Sequence, residues 1–350
     1  MRIVHVITDL RLGGAETALV GLAHASARRG HRVEVVALKQ LGLAAAPLLS
    51  SGIPCNALGA PETPGVGLVS TVSVLSAHLR KRSADVIHAW LASGCAAVHL
   101  ATSPEQPRVY GIQVTDTPPP AVCALLASGS GPHVQWVAAS RAAAASWSRA
   151  VPGSAATMRV IPNTVEVEAP PVPEPPGARP LFLGRFAHQK GLDVLLRALV
   201  DTDLVVDIRG AGPEEARLRA MARELGVEQR ANMPGPTANP LTALSNASFL
   251  VLPSRSEGMP LVVMEAMASA RPVVATAVGG TDEVVLHEET GLLVPPEDPD
   301  ALRNAMLRLS HDAKLRERLG RAGRERWARH FRHDVVVERF LQAYADARAG

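Results

Sequence analysis

Two carboxylates stand out in the segment FLVLPSRSEGMPLVVMEAMA, which begins at Phe249. Glu257 and Glu265 lie eight positions apart, and no other charged residue falls between them. The apolar run that ends at Pro253 predicts a buried strand, and the sequence after it predicts a helix with Pro260 at its first position. Glu257 is therefore expected in the loop between a strand and a helix, and Glu265 in the second turn of that helix.

The backbone after Glu257 is expected to meet an anion. Ligands of open parallel sheets bind at the carboxyl ends of the strands, and the free N–H groups of a helix start attract negative charge. An ionised carboxylate accepts hydrogen bonds but cannot donate them. This suits Glu265 to a pair of ribose hydroxyls, which are donors. The residues whose backbone is expected to face a phosphate are Gly258, Met259, Pro260 and Leu261.

Two other interpretations of the glutamate pair stay open. Glu257 could be a solvated loop residue and Glu265 a charge on a helix surface. Two carboxylates also flank the scissile bond in glycosidases. The backbone after Glu257, which is expected to face a phosphate, gives no support to glycoside hydrolysis.

A second charged group occurs in LGRFAHQKG, where Arg185 and Lys190 follow a short apolar strand. Two cations there can neutralise a diphosphate and stabilise the charge that develops on it as it leaves. Further along, Gly210 and Gly212 stand at a strand-to-helix turn in IRGAGPEEARL, and we expect Gly212 to contact the same ligand. A GxG pattern alone fits a plain tight turn equally well.

Strands and helices alternate along the chain. In the first half, strands are predicted at RIVHVI, HRVEVVAL, ADVIHAW, RVYGI and VQWVAAS, with helical segments between them. Six prolines between Val165 and Pro180 predict an extended linker, after which the alternation restarts at LFLGRF. This order predicts an α/β protein of two tandem, Rossmann-like, doubly wound domains. The predicted boundaries are an N-terminal domain at 1–165, a linker at 166–180, a C-terminal domain at 181–332 and a last helix at 333–350.

The composition argues against several classes of protein. The length of 350 residues suits about two domains, and an aromatic content of 3% is too low for a single-stranded nucleic-acid platform. Cys55, Cys95 and Cys123 show no CxxC spacing, so neither a disulfide framework nor a zinc site is indicated. Since neither a signal peptide nor an apolar stretch of membrane-spanning length is evident, we expect a cytoplasmic protein.

Charge is distributed unevenly between the two halves. Residues 1–165 contain 13 Lys and Arg against 7 Asp and Glu, a surplus of six positive charges, whereas residues 166–350 contain 23 against 26. A basic half attracts anionic partners. Peripheral association with the inner face of a membrane is therefore an open expectation, while no basic run is typical of nucleic-acid binding.

Four segments of the second half resemble, in order, the retaining glycosyltransferases of family 4, which have the GT-B fold. They are GRFAHQKGLDVLLRA, IRGAGPEEARLRAMARELGV, SRSEGMPLVVMEAMASARPVVATAVGGTDEVV and GLLVPPEDPDAL. The first half resembles the family more weakly, through GGAETALVGLAHASARRGHRVEVVAL, ADVIHAW and VIPNTV. The resemblance implies an interdomain cleft, a nucleotide-sugar donor held mainly by the second domain, and a last helix that crosses back to the first.

The resemblance also implies roles for single residues of the second half. Arg185 and Lys190 match the family's diphosphate contacts, and Glu265 matches the ribose contact. Glu257, with the backbone of 258–261, matches the contacts to the donor sugar and its phosphates.

In the first half, Gly13 and Gly14 match a glycine turn that closes over the donor. Three positions depart from the family's pattern. Gln113 stands where the family often has a His that supports the transferring sugar, while Ala270 and Thr164 stand where glycine is common. Because Ala tolerates positive φ poorly, we expect the change at 270 to affect a turn.

Together these features predict a hexosyltransferase-type enzyme that moves a sugar from a UDP- or GDP-type donor to an acceptor hydroxyl with retention of configuration. The acceptor is expected to be a glycan, a lipid-linked sugar or a small molecule, in polysaccharide, glycolipid or other glycoconjugate synthesis. The expected catalytic residues are Arg185, Lys190, Glu257 and Gln113. No cofactor and no metal are expected, because the two cations take the role of a divalent ion.

Functions of other classes stay open at this point. A GT-B nucleotide-sugar epimerase shares the architecture, and a non-catalytic nucleotide-sugar binding subunit is compatible with the change at Gln113. A Rossmann dehydrogenase is disfavoured, since no GxGxxG follows the first strand.

Overall fold

The computed structural model describes residues 1–11, 13–61, 68–167 and 171–350. Residues 168–170 of the predicted linker lie outside the described residues. The chain divides into two compact units: unit 1 comprises Met1–Glu166 with His333–Gly350, and unit 2 comprises Val167–Arg332.

Unit 1 alternates strands and helices along the chain. Its strands are β1 (Arg2–Ile7), β2 (Arg32–Ala37), β3 (Cys55–Ala57), β4 (Val86–Trp90), β5 (Arg108–Ile112), β6 (Val134–Ala138) and β7 (Met158–Val160). Its helices are α1 (Gly14–Arg28), α2 (Ala45–Ser50), α3 (Leu68–Arg82), α4 (Leu91–Ala101), α5 (Pro120–Ala127) and α6 (Arg141–Ala150). A last helix, α14 (His333–Ala349), completes the unit.

The seven strands of unit 1 form one sheet in the order β3-β2-β1-β4-β5-β6-β7, and their pairings are parallel. Strands β1, β4, β5 and β6 are almost completely buried, as expected of a parallel sheet covered by helices on both faces. The order reverses between β1 and β4. A doubly wound sheet places its ligand crevice at such a point.

Helix α14 is fixed to the centre of this sheet by a buried polar cluster. The Nδ1 atom of His88 and the hydroxyl of Tyr344 are 2.8 Å apart, and Trp90 donates its indole N–H to Nδ1 of His5 at 3.1 Å. Burial lowers the pKa of His5 to about 3 and that of His88 well below its ordinary value, so both rings are neutral. Neutral rings can form these hydrogen bonds in an apolar core without placing an unpaired charge there.

Unit 2 repeats the alternation with shorter strands. These are β8 (Leu181–Leu183), β9 (Val206–Arg209), β10 (Ala231–Asn232), β11 (Leu250–Leu252), β12 (Val273–Thr276) and β13 (Gly291–Val294). Its helices are α7 (Leu192–Ala198), α8 (Glu215–Glu224), α9 (Pro240–Ser245), α10 (Leu261–Ala268), α11 (Thr281–Val284), α12 (Pro299–His311) and α13 (Ala313–His330).

The sheet of unit 2 has the strand order β10-β9-β8-β11-β12-β13, again with parallel pairings. Its order reverses between β8 and β11, which are adjacent in space although two strands separate them along the chain. The loops that follow these two strands therefore lie side by side at the carboxyl edge.

The predicted fold class is confirmed: both units are parallel α/β structures with doubly wound strand order. Several elements lacked a clear signal in the sequence, namely α2, β3, α3, α5, β10, α9 and α11. Most of these are short, and the two-residue strand β10 has no periodic pattern that could identify it. None of the helices in the described ranges is both long and apolar enough to cross a bilayer.

Candidate functional site

The candidate site lies in unit 2, where the loops after β8 and β11 meet. Lys190, from the first loop, places its ammonium nitrogen 2.6 Å from Oε1 of Glu257 in the second. Both side chains are well covered, with exposed fractions of 19% for Lys190 and 7% for Glu257. The hydroxyl of Ser254 donates to the same Oε1 at 2.6 Å. Glu257 is therefore a buried, paired carboxylate and not a solvated loop residue.

Further contacts join the same two loops. Gln189 donates its side-chain amide to the carbonyl of Ser256 at 2.8 Å, and the backbone N–H of Arg255 donates to the carbonyl of Gln189 at 2.7 Å. The guanidinium of Arg255 also donates to the carbonyl of His188 at 2.7 Å. These bonds keep the two loops in register, so the Lys190 to Glu257 contact does not depend on a single interaction.

Arg255 is itself held by two carboxylates. Its Nη1 and Nη2 atoms lie 2.8 and 2.9 Å from the two oxygens of Asp193, the second residue of α7, and Nε lies 2.5 Å from Glu297. Burial alone would raise the pKa of Asp193, but hydrogen bonds and positive charge from Arg255 hold it below its ordinary value. The two parallel hydrogen bonds from Arg255 to Asp193 fix the orientation of the guanidinium as well as its distance from the carboxylate.

Two glycines permit the close approach of neighbouring loops. Gly191 has a φ of 62°, and a Cβ atom there would lie 2.0 Å from the carbonyl oxygen of Pro253. Gly279, in the loop after β12, has a φ of 59°, and its Cβ would lie 1.6 Å from the carbonyl oxygen of Glu257. No other residue fits either position without moving the backbone that carries Lys190 or Glu257.

Gly212 plays a packing role beside the first loop. A Cβ atom at this position would lie 2.2 Å from the carbonyl oxygen of Phe186, so the turn after β9 rests directly on the loop after β8. Arg185 precedes Phe186 and is exposed. Within the part of the chain that the structure describes, no carboxylate pairs with its guanidinium, which leaves it free for a ligand.

Helix α10 begins beside the ion pair. The prediction of Pro260 at its first helical position is wrong by one residue: α10 begins at Leu261, and Pro260 caps it with an extended ψ of 114°. The backbone of Gly258, Met259 and Pro260 is buried and leads from Glu257 into the helix. The amino-terminal end of α10 thus lies where the partial positive charge of a helix start favours an anion.

Glu265 occupies the second turn of α10, as predicted. Burial raises the pKa of this carboxyl to about 7. Neither a hydrogen bond nor an ion pair reaches the carboxylate from any described residue. Glu257 and Glu265 therefore differ: the first has its partners within the fold, whereas the second is half-buried and has no partner among the described residues.

Three predicted site residues lie in unit 1. Gly13 caps α1 in an extended conformation and Gly14 is its first residue, both exposed after β1. Gln113 follows β5 and is buried with 8% exposure, and its Oε1 has no hydrogen-bond partner among the described residues. Trp147 donates its indole N–H to the carbonyl of Asp116 at 3.2 Å and so holds the loop that carries Gln113.

The structure adds residues that the sequence did not single out. Ser254 and Arg255 stand next to Glu257 in SRSEG, and their position after a strand end was the only available signal. The glycine pair Gly279 and Gly280 follows β12 in the same way, and the N–H of Gly280 lies 3.3 Å from the carbonyl oxygen of Glu257. Asp193 is an ordinary helix residue in the sequence, because its partner is 62 positions away.

Both halves of the chain match known protein families. Residues 175–326 match the family described as glycosyl transferases group 1, and residues 12–169 match the family described as Glycosyltransferase Family 4. A D-inositol 3-phosphate glycosyltransferase of Xylanimonas cellulosilytica is 30% identical over 389 aligned positions, which cover 96% of this chain and 92% of that protein.

Other relatives match over a shorter range. A D-inositol 3-phosphate glycosyltransferase of Thermomonospora curvata is 38% identical over 184 residues, covering 48% of this chain and 42% of the relative. This chain thus aligns with about two fifths of that protein. Among solved structures, Anabaena Alr3699/HepE in complex with UDP superposes with a TM-score of 0.86 at 19% identity, covering 99% of this chain and all of that one.

The ion pair between Asp193 and Arg255 should contribute measurably to the stability of unit 2. We expect Asp193→Asn to lower the free energy of unfolding by about 2 kcal/mol, because Glu297 is then the one charged partner of the largely covered guanidinium among the described residues. Chemical denaturation followed by circular dichroism measures this. Arg197 also contacts Asp193, at 3.5 Å, but is half exposed. Arg197→Met is the matched control and should cost at most about 0.5 kcal/mol; equal losses in the two variants would contradict the role of Arg255.

Proposed function

The chain belongs to the GT-B glycosyltransferases, and on that premise we propose that unit 2 holds a nucleoside diphosphate sugar. The observation that carries the proposal is the contact between Lys190 and Glu257 at the point where the strand order reverses. An ammonium group has three donors, and Glu257 occupies one of them. The remaining donors of Lys190, with the exposed Arg185 and the start of α10, suit a diphosphate.

The solved complex of Anabaena Alr3699/HepE supports the class of ligand, since that protein binds UDP. We infer a UDP- or GDP-type donor for this chain. Its ribose hydroxyls would donate to Glu265, whose carboxylate has no partner among the residues that the structure describes. Its sugar would lie near Glu257, because a carboxylate that accepts two bonds on one oxygen retains further acceptor sites.

The proposed reaction keeps the anomeric configuration. The acceptor oxygen forms a bond to the anomeric carbon on the face from which the diphosphate departs, and the bond from that carbon to the diphosphate oxygen breaks. The acceptor proton passes to the departing oxygen. No protein nucleophile takes part, and Lys190 and Arg185 stabilise the negative charge that grows on the diphosphate in place of a metal ion.

The acceptor is a hydroxyl-bearing glycan, lipid-linked sugar or small molecule in this proposal, and the product belongs to glycoconjugate or polysaccharide synthesis. Gln113 supports the transferring sugar. The supporting observation is its buried Oε1, which no described residue reaches with a hydrogen bond, because buried polar atoms are nearly always hydrogen-bonded. A sugar hydroxyl is a donor of the required kind.

Incubation with UDP- and GDP-sugars, followed by product analysis, tests this function directly. A glycosyltransferase yields a glycoside of the acceptor with unchanged anomeric configuration. A changed sugar without transfer would identify an epimerase, and binding without any product would identify a non-catalytic subunit. Either of these results, or an inverted product, would overturn the proposal.

Arg185 and Lys190 should each contribute to catalysis. We expect Arg185→Ala and Lys190→Ala to lower kcat by about 100-fold, on the scale of one lost electrostatic contact to a transition state. Steady-state assays measure this, with Arg217→Ala on the exposed face of α8 as the control. Arg185→Ala is the cleaner variant, because Lys190→Ala also leaves Glu257 buried without its cation. Activity should survive EDTA, and a strict requirement for a divalent ion would contradict the metal-free scheme.

Glu265 should make donor binding depend on pH. The ribose contact requires the ionised carboxylate, and the pKa of Glu265 in the free protein is about 7. Lowering the pH from 8 to 6 protonates the group, so donor affinity should fall by about 10-fold. Calorimetry with a nucleotide sugar measures the donor affinity at each pH. The sugar-linked diphosphate has no terminal phosphate that would itself titrate in this range. Glu265→Gln should abolish the dependence and Glu224→Gln should retain it; an unchanged slope in Glu265→Gln would exclude the assignment.

Gln113 should affect turnover more than donor binding. We expect Gln113→Ala to lower turnover at saturating donor by about 10-fold, since a buried polar contact is worth roughly 1 to 3 kcal/mol. Gln113→His should retain activity, because an imidazole can also accept a hydrogen bond. A transfer assay on both variants measures the effect. Wild-type turnover in Gln113→Ala would place this residue outside the reacting centre.

A further inference from the structure

The carboxylate of Glu257 receives both of its side-chain contacts on one oxygen. The ammonium nitrogen of Lys190 and the hydroxyl of Ser254 each lie 2.6 Å from Oε1. No residue in the described ranges bonds to the other oxygen, Oε2, although the side chain keeps 7% of its surface exposed. The fold therefore satisfies one side of this carboxylate and leaves the acceptor sites of the other oxygen unused.

Lys190 cannot by itself fix how the carboxylate is turned. The last torsion of a glutamate side chain joins an sp³ carbon to an sp² carbon and has a broad, two-fold energy profile, so either oxygen can face the cation. An ammonium group is a compact charge on a flexible stem, and it can follow the carboxylate as the carboxylate rotates. The ion pair thus fixes a distance but not a direction.

Ser254 can fix the direction, because its hydroxyl has little freedom of its own. The residue is fully buried, and its side chain is short. Its backbone is held from two sides: Thr276, the last residue of β12, donates to the carbonyl of Ser254 at 2.5 Å, and Gly191 packs against the carbonyl of Pro253. The Oγ atom therefore reaches Oε1 of Glu257 from a fixed position three residues earlier in the chain.

The contact between the two loops does not depend on this hydroxyl. Gln189 donates to the carbonyl of Ser256 at 2.8 Å, and the N–H of Arg255 donates to the carbonyl of Gln189 at 2.7 Å. Lys190 also reaches Glu257 without help from Ser254. Removal of the hydroxyl would therefore leave the loops joined and the charges paired, but it would release the rotation of the carboxylate.

We propose that Ser254 is a positioning residue, which turns Glu257 so that Oε2 accepts a hydrogen bond from a hydroxyl of the transferring sugar. This role rests on the proposed function, since it requires a nucleotide-sugar donor beside Glu257. Two tasks are then divided between the partners of Glu257: Lys190 balances its charge, and Ser254 sets the direction of its free acceptor. Orientation of this kind matters most in the transition state, where a small displacement lowers the rate.

Turnover and nucleotide affinity should separate in Ser254→Ala. We expect kcat with the nucleotide sugar that the wild type uses to fall by about 10-fold, the scale of one hydrogen bond to a charged group. Affinity for bare UDP or GDP should stay within about 2-fold, because that ligand lacks the sugar and Lys190 is still paired. Steady-state assays and calorimetry measure the two quantities. A loosened loop would weaken both, and that result, or wild-type turnover, would overturn the proposal.

Ser154→Ala in unit 1 is the matched control. Ser154 is also fully buried, and its hydroxyl donates to the carbonyl of Val151 at 2.8 Å. The control loses a buried serine hydroxyl of the same kind without touching Glu257, so its turnover should stay within about 2-fold of the wild type. A fall as large as that in Ser254→Ala would reveal a general effect of losing a buried hydroxyl and would contradict the positioning role.

A double-mutant cycle shows whether Ser254 acts through Glu257. Glu257→Gln keeps the shape of the side chain but puts an NH₂ group in place of Oε2. In this background Ser254→Ala should lower the remaining turnover by less than about 2-fold, because the acceptor that Ser254 orients is absent. Single-turnover assays with excess enzyme measure such slow transfer. A further loss of about 10-fold would show that Ser254 acts independently of Glu257.

Failure of the positioning role and failure of the proposed function give different results. If the wild type neither binds nor transfers any nucleotide sugar, the proposed function is wrong and the role of Ser254 falls with it. If the wild type is active and Ser254→Ala is equally active, only the positioning role is refuted.

Discussion

The arrangement of unit 2 depends on one buried ion pair, between Lys190 and Glu257. Two covered charges are tolerated only when they are paired and hydrogen-bonded, so the loops after β8 and β11 must stay together. Most other features of the site help to hold these two loops together. Ser254 supplies the second bond to Glu257, Arg255 fixes the loops to α7, and glycines at 191 and 279 leave room for the backbones to touch. Without that contact each charge would have to be solvated, although the hydrogen bonds from Gln189 and Arg255 would still join the two loops.

Glu265 is in a different environment from Glu257, which is paired with Lys190. No residue in the described ranges pairs with its carboxylate, and burial raises its pKa to about 7. A carboxylate in that state gains more from a hydroxyl donor than one that already has a cation beside it. The two glutamates therefore have distinct chemistry although they share one short segment: Glu257 organises the loops, and Glu265 remains available to a ligand. The opposite edge of the same sheet shows the complementary situation, since Arg271 is a buried cation that forms no ion pair with any described carboxylate.

Unit 1 is stabilised in a different way, by neutral groups. His5, His88, Trp90 and Tyr344 form a buried cluster in which burial keeps the imidazoles uncharged, and this cluster joins the last helix to the centre of the sheet. Neutral polar groups need hydrogen bonds but no counter-ion, and here Nε2 of His5 and Nε2 of His88 have no partner among the described residues. The cluster also explains how a helix can belong to the same unit as β4 although Tyr344 is 256 positions from His88 along the chain.

The sequence by itself determined the fold class, the alternation of strands and helices, and the loop positions of Lys190, Arg185 and Glu257. These features follow from local periodicity, from prolines and from strand ends, all of which are visible within a few residues. The helix start at Leu261, one residue later than predicted, and the short elements such as β10 and α11 depended on packing that no local pattern encodes. The tertiary structure alone decided that Lys190 meets Glu257 across 67 positions, that Arg255 meets Asp193 across 62, and that Glu265 and Arg271 have no charged partner among the described residues. Pairing and burial depend on which strands are neighbours in the sheet, and the order of strands in space is not the order of strands along the chain.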